Sequence, residues 1–272
     1  MIVVTGATGN VGRPLVRSLV AAGERVRAVA RTEAEMPAGV EFHQADIADP
    51  RRLAAAVDGA ESLFLLTAES FLEHGDMHAA MEAVKAAGLR RVVLLSSQGV
   101  ATGRHPVALE AVVKASGLEW TMVQPGNFAS NSFQWAESIR LRRSVTAPFA
   151  DTALPAVDPA DIADVAAAAL REEGHVGRSY IVTGPEPITP RRQVAAIADL
   201  LGEPVAFTEE TPAEARERMR AFMPAPVVEA TLGILGTPSA EEQAVSPDVE
   251  HVLGRPARPY AEWAARNLAA FK

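Results

Sequence analysis

Close to the start of the chain, a β-branched run at Ile2-Val3-Val4 leads into three glycines spaced as Gly6-x-x-Gly9-x-x-Gly12, and an amphipathic stretch from Val11 to Ala22 follows. Each glycine answers a different steric demand. Gly6 permits a tight turn, Gly9 lets backbone N–H groups approach an anion, and Gly12 lets a helix pack closely against the strand before it. Strand, glycine turn and helix in this order form a cradle in which a pyrophosphate meets the positive end of the helix dipole. A glycine triplet alone also fits an ordinary tight turn. Its place at the first junction of a strand–helix series makes dinucleotide binding the stronger reading.

That series continues along the chain. Short apolar runs at Val26–Ala30, Val40–His43, Ser62–Leu66, Val92–Ser96 and Thr121–Gln124 are predicted strands. Helical patterns at Arg51–Val57, Glu73–Ala87 and Val107–Ser116 lie between them, and Gly23, Gly59, Gly88 and Gly117 fall where helices should stop. Strands apolar on both faces belong in a parallel sheet covered on both sides, so the pattern predicts an α/β, doubly wound, Rossmann-type sheet. After Pro125 prolines cluster and strands thin out. Helices are predicted from Pro159 to Leu170, at Pro190–Leu201 and around 212–222, 225–235 and 259–271, with strands at Ser179–Thr183 and Val205–Thr208. The division this suggests is a nucleotide-binding domain over 1–150, with later segments returning to it, and mainly a smaller C-terminal α/β lobe over 151–272 that covers the substrate.

The 272 residues carry a net charge of −8, which argues against a protein whose main task is to grip nucleic acid or an anionic membrane. No apolar run approaches the roughly 18 residues of a membrane span, and Gly6 interrupts the first one before any leader pattern develops. With no cysteine, thiol catalysis and thiolate metal sites are excluded. The expectation is a cytoplasmic protein, monomer or homodimer, acting on a small molecule.

The second strand ends at Arg31, where an acidic residue would pair with the ribose hydroxyls of NAD and an arginine can pair with the 2′-phosphate of NADP. NADP(H) is the preferred cofactor on this reading; Glu33 and Glu35 nearby keep NAD(H) open. Asp46-Ile47, after the third strand, stands where adenine contacts usually fall, or is a turn aspartate and its neighbour.

GATGNVG at 6–12, Arg31, ADIAD at 45–49, the serine pair 96–97, SGLEWT at 116–121 and QPGNF at 124–128 together resemble the NmrA-like atypical short-chain dehydrogenases, in particular their quinone-oxidoreductase-like bacterial branch. The similarity runs on through VDPADIADVAAAAL (157–170), YIVTGPEPIT (180–189) and LGRPARPYAEWAARN (253–267), and so covers essentially the whole chain. The resemblance implies a cofactor lying across Thr8, Gly9, Asn10 and Val11, then Arg31, Asp46, Leu66-Thr67-Ala68 and Ser96. The nicotinamide would sit near Pro125-Gly126-Asn127-Phe128. It also implies a reductase of quinones, enones or phenolic compounds, or else a redox sensor that binds cofactor without turnover.

Carbonyl reduction by a nicotinamide needs a hydride and usually a proton for the developing alkoxide. Short-chain dehydrogenases commonly supply the proton from a tyrosine four residues before a lysine. Neither tyrosine here, Tyr180 or Tyr260, has a lysine at that spacing. Where the missing tyrosine–lysine pair would stand, the chain carries Ser97, His105, Glu110 and Lys114. The interval from Ser97 puts Glu110 at the acid's position with Lys114 behind it; the alternative is a surface pair that stabilises a helix by about 0.2–0.5 kcal/mol. His105 is either a proton donor or phenolate ligand, or a histidine at a helix entry. Pro106 occupies the position where some relatives carry a further lysine. Phe128, Phe133 and Trp135 are candidates for an aromatic wall against a flat substrate, or for core. His74 and His78 share a helix face without a third ligand, so no metal is expected.

Two functions fit these residues. One is an NAD(P)H-dependent reductase acting on a quinone or quinone-like aromatic ketone, whose reduced anion is a delocalised phenolate that needs little help from an acid. The other is a non-catalytic redox sensor that regulates a partner protein.

Overall fold

A computed structural model describes residues 1–67, 71 and 75–272. Seven parallel strands form one sheet, in the order β3-β2-β1-β4-β5-β6-β8. They are β1 (Ile2–Thr5), β2 (Val26–Ala30), β3 (Glu41–Gln44), β4 (Ser62–Leu66), β5 (Arg91–Leu95), β6 (Glu119–Pro125) and β8 (Arg178–Val182). From β1 the chain winds outward to β3, then crosses back to β4 and winds the other way. The switch point between β1 and β4 opens a crevice at the strands' carboxyl ends, the usual place for a ligand in such sheets.

Alternation along the strands sends Ile2 and Val4 to one face and Val3 to the other. The first face is covered by α1 (Gly12–Ala21), by the alanine-rich α7 (Pro159–Arg171), and by α12 (Asp248–Leu253). On the second face lie α2 (Pro50–Val57), α3 (Met77–Ala86) and α5 (Ala108–Ala115). Thr5 closes the switch point. Its hydroxyl donates to the Phe64 carbonyl at 3.0 Å and accepts the Leu66 N–H at 2.8 Å. Gly12 is where the motif's steric argument is sharpest, since a Cβ there would stand 2.1 Å from the Gly6 carbonyl oxygen.

Between residues 129 and 147 the chain departs from the sequence reading. A 3₁₀ segment (Ala129–Trp135), α6 (Ala136–Arg142) and β7 (Ser144–Ala147) occupy a stretch with no clear periodicity. β7 pairs in parallel with β9 (Ala206–Glu209), outside the main sheet. These elements pack with α8 (Pro190–Leu201) and α13 (Tyr260–Arg266) around Trp135, Ile139, Ile197, Trp263 and Phe271. A smaller cluster joins α9 (Pro212–Arg220) to α10 (Ala225–Gly236) through Met219, Val228 and Leu232. Short helices α4 (Gln98–Ala101) and α11 (Ala240–Gln243) complete the chain.

The tail motif that carried part of the resemblance has a structural task. Arg255 reaches Asp161 and Asp164 at 2.8 Å, Arg258 pairs with both, and Arg266 pairs with Asp158. Asp158, Asp161 and Asp164 line one side of α7, so three arginines pin the C-terminal segment to the sheet's covering helix. Among the described residues no helix is long and apolar enough to cross a membrane.

Candidate active site

Six strands deliver a sequence-selected residue at the carboxyl end: Gly6 after β1, Arg31 after β2, Asp46 after β3, Leu66 on β4 with Thr67 after it, Ser96 after β5, and Pro125 on β6. Ala68 and His74 lie outside the described residues. Gly6 adopts φ 61°, the left-handed conformation in which its missing side chain matters. Thr8 to Asn10 rise to the surface of the turn.

Helix α1 begins without a side-chain cap and without an acidic residue in its first turn. By contrast α2, α3 and α7 are each capped by an aspartate. The Arg13 N–H returns to the Gly9 carbonyl at 3.1 Å, so what the start of α1 offers an outside anion is chiefly the positive end of its dipole beside the glycine turn. This open cradle fits the pyrophosphate of a dinucleotide.

Beside it opens a cavity of about 460 Å³ lined by Ala7, Arg13, Arg17, Glu35 and Met36, among others. Arg13 and Arg17 are exposed, one turn apart on α1. Sequence reasoning passed over both; the signal was two arginines at i and i+4 directly behind Gly12. Asp46 makes an Asx turn, accepting the Ala48 N–H at 3.1 Å, and its neighbour Ile47 is buried.

The loop 125–128 is held by backbone on two sides. The Gly126 N–H donates to the Val182 carbonyl at 3.0 Å, and the Val157 N–H donates to the Asn127 carbonyl at 2.8 Å. Asn10, on the glycine turn, donates to Ser130 Oγ at 3.3 Å, which joins the turn to the segment that follows this loop. Phe128 is half-buried against the sheet's core. Between wall and core, the other two aromatic candidates, Phe133 and Trp135, take the core. Phe133 meets Trp263 edge-on at 5.1 Å and stacks on Phe271 at 6.1 Å, while Trp135 is only 7% exposed. Their rings serve the core of the lobe.

Glu110 is buried, and its partners decide its chemistry. Ser96 Oγ donates to it at 2.6 Å, Gln124 Nε2 at 2.7 Å and Lys114 Nζ at 2.9 Å. Burial alone would raise its pKa, but these three donors together more than offset it and hold the carboxyl below its ordinary value. The acid role that spacing offered to Glu110 does not fit. A carboxylate that already receives three hydrogen bonds is an anion at neutral pH with no proton to give. It ties α5 to the ends of β5 and β6, and Lys114 lies outside it against the Trp120 ring, 5.3 Å from the centroid.

Ser97 turns the other way. Its hydroxyl caps α4 by accepting the Gly99 N–H at 3.0 Å, and stands 3.0 Å from His105 Nδ1. A Ser97 hydroxyl that donates to Nδ1 places the ring N–H at Nε2; the other tautomer donates from Nδ1 to Ser97 instead. Neither tyrosine joins this edge. Tyr180 is bonded to His175 at 2.8 Å, and Tyr260 is buried in the lobe against Ser132 at 2.7 Å. His78 is exposed, and among the described residues no group of three metal-ligating side chains converges.

Comparison with known proteins agrees with this architecture. A family model described as NAD(P)H-binding matches residues 6–173. The (4-alkanoyl-5-oxo-2,5-dihydrofuran-3-yl)methyl phosphate reductase of Streptomyces griseus is 40% identical, with 100% of this chain and 99% of the relative covered. The NAD(P)H azoreductase of Xenophilus azovorans is 34% identical at the same coverage. Among solved structures, an NADPH-dependent quinone oxidoreductase of Escherichia coli complexed with NADPH superposes with a TM-score of 0.80 at 22% identity, covering 98% of this chain and 99% of that one.

Proposed function

This chain belongs to the NAD(P)H-binding family, and from that premise we propose that it is a reductase delivering hydride to a small, electron-poor conjugated acceptor, a quinone or quinone-like aromatic ketone. The observation that carries the proposal is the make-up of the sheet's carboxyl edge. It offers a Ser97–His105 pair and no tyrosine, while Glu110 is committed as an anion. A site without a strong acid suits an acceptor whose product anion is already stabilised by delocalisation. The names of the two relatives point the same way, since an alkanoyl dihydrofuranone and an azo compound are both conjugated and electron-poor.

The nicotinamide cofactor, when bound, supplies the hydride. The chain's own residues position and stabilise. Gly6, Thr8, Gly9, Asn10, Val11 and Gly12 hold the pyrophosphate, with Arg31, helped by Arg13 and Arg17, at the 2′-phosphate. Asp46 and Ile47 would border the adenine, and Leu66, Thr67 and Ser96 the cofactor's middle. Pro125, Gly126, Asn127 and Phe128 border the nicotinamide. His105 presents Nε2–H to the oxygen on which charge develops, Ser97 fixes the ring, and the proton that completes the product comes from water. Lys114 acts only through Glu110.

The proposal is tested by following NADPH oxidation against a panel of quinones and activated aromatic ketones. Turnover coupled one-to-one to acceptor reduction is the expected result. If no acceptor is reduced above background while a partner protein binds in a cofactor-dependent manner, the sensor reading replaces it. Arg31→Asp is expected to weaken NADPH by about 1.5–3 kcal/mol, the scale of a lost charge-assisted hydrogen bond, and NADH much less. Equal losses for both cofactors, measured by calorimetry, would remove Arg31 from the 2′-phosphate.

A further inference from the structure

The loop that carries His105 is also where the C-terminal lobe grips the nucleotide-binding part. Gln98 Nε2 donates to the Glu241 carbonyl at 3.2 Å. Thr102 Oγ1 donates to Glu242 Oε1 at 3.1 Å. Arg104 reaches the same carboxylate with two nitrogens, Nε at 3.1 Å and Nη2 at 3.3 Å, and Nη2 also meets the Thr237 carbonyl at 2.8 Å. The fork is bidentate, the geometry in which arginine adds direction as well as charge.

Glu242 is buried, so a lost partner there would not be replaced freely by water. It accepts the Ser239 N–H at 2.7 Å, which completes a capping box at the start of α11. One carboxylate thereby fixes both the end of the lobe's helical hairpin and the loop opposite. Thr237 follows directly after α10, and the Arg104 guanidinium passes along that helix near Gly233.

Arg104 and His105 are neighbours, and their backbones share one anchor. Both N–H groups donate to the Gly99 carbonyl, at 2.7 and 2.8 Å. The imidazole lies over Gly99 so closely that a Cβ there would be 2.5 Å from Nδ1. The ring is thus seated between Gly99 and Ser97, its backbone is bonded to the Gly99 carbonyl, and the side chain of the preceding residue grips Glu242.

We propose that Arg104 is a positioning residue, whose clasp on Glu242 and Thr237 seats His105 against Ser97 and so makes the donor's placement depend on the docking of the C-terminal lobe. The kinetic part rests on the reductase proposal; the placement itself does not. A substrate covered by the lobe would then meet a correctly aimed Nε2–H only when the lobe is docked.

The test uses the full chain with histidine nitrogens labelled, the His105 resonances being identified by their loss in His105→Gln. Arg104→Gln is expected to shift the His105 nitrogen signals and leave those of His43, on β3 at the far edge of the sheet, unmoved. Glu242→Gln, which breaks the clasp from the other side, should reproduce the shift, and Arg104→Lys should partly reverse it. With an acceptor that turns over, kcat should fall about 10-fold in Arg104→Gln, the scale of a small misplacement of a catalytic group, while NADPH affinity stays within about two-fold. The double variant with His105→Gln should lose no more than His105→Gln alone. Unmoved His105 signals in both folded single variants, or losses that multiply in the double variant, would overturn the proposal. If the wild-type protein reduces no acceptor, the reductase reading fails, and the nitrogen signals still decide whether Arg104 seats His105.

Discussion

Gly9→Val is expected to abolish NADP(H) binding and to leave the protein folded. Gly9 sits on the exposed rim of the turn, and a Cβ there would meet only the Gly6 carbonyl oxygen, at 3.2 Å. That contact is tight, and the neighbour must give by a few tenths of an ångström, which a turn at the surface can do. The rest of the isopropyl group would stand in open space beside the uncapped start of α1, where the pyrophosphate is proposed to lie. Gly12→Ala supplies the contrast. Its Cβ would stand 2.1 Å from the Gly6 oxygen and 2.7 Å from Ala7 Cα, so backbone must separate from backbone and the packing of α1 on the sheet is lost. Calorimetry with NADPH, alongside near-ultraviolet circular dichroism, distinguishes the two. Wild-type affinity in Gly9→Val would remove the glycine turn from the cofactor site.

The second large effect is expected at His105. His105→Gln should lower kcat on an activated aromatic ketone by about 10²–10³, the range found when one oxyanion donor is removed, with NADPH affinity nearly intact. A quinone should suffer less, because its reduced anion is delocalised over the ring. Ser97→Ala should fall between, since the imidazole keeps its place over Gly99 but loses the hydrogen bond that sets its tautomer. Parallel steady-state measurements on the two acceptors check this. Undiminished turnover in both variants would mean that water alone serves the developing anion, and that this pair has no part in the reaction.

Much of this arrangement was legible because it is written locally. A glycine triplet after a β-branched run, helix stops at Gly23, Gly59, Gly88 and Gly117, and apolar strands all report backbone needs a few residues apart. The sheet and the carboxyl-edge residues follow from them. The segment from Ala129 to Ala147 was not legible, since its 3₁₀ turns, α6 and β7 are stabilised by Trp263, Phe271 and β9, which lie far along the chain. Whether Phe133 and Trp135 face a substrate or the core is open in the sequence for the same reason, since the partners they pack against lie far along the chain.

Glu110 shows the boundary most clearly. Its pairing with Lys114 at i, i+4 was visible in the sequence, and the structure keeps that pair at 2.9 Å. The partners that decide its chemistry, Ser96 and Gln124, are each 14 residues away and arrive on different strands. Arg104 was silent for the same reason, because Glu242 lies 138 residues further on.

The central claim is that hydride passes from the bound nicotinamide to the acceptor. The most direct measurement is reduction of an activated aromatic ketone to its carbinol by NADPH carrying deuterium at C4, on one face and then on the other in separate reactions, with the product examined by mass spectrometry. Reduction at carbon with one deuterium per product, from one face of the nicotinamide only, is the expected result. Product formed without deuterium in both reactions, or no product while cofactor binds normally, would contradict it.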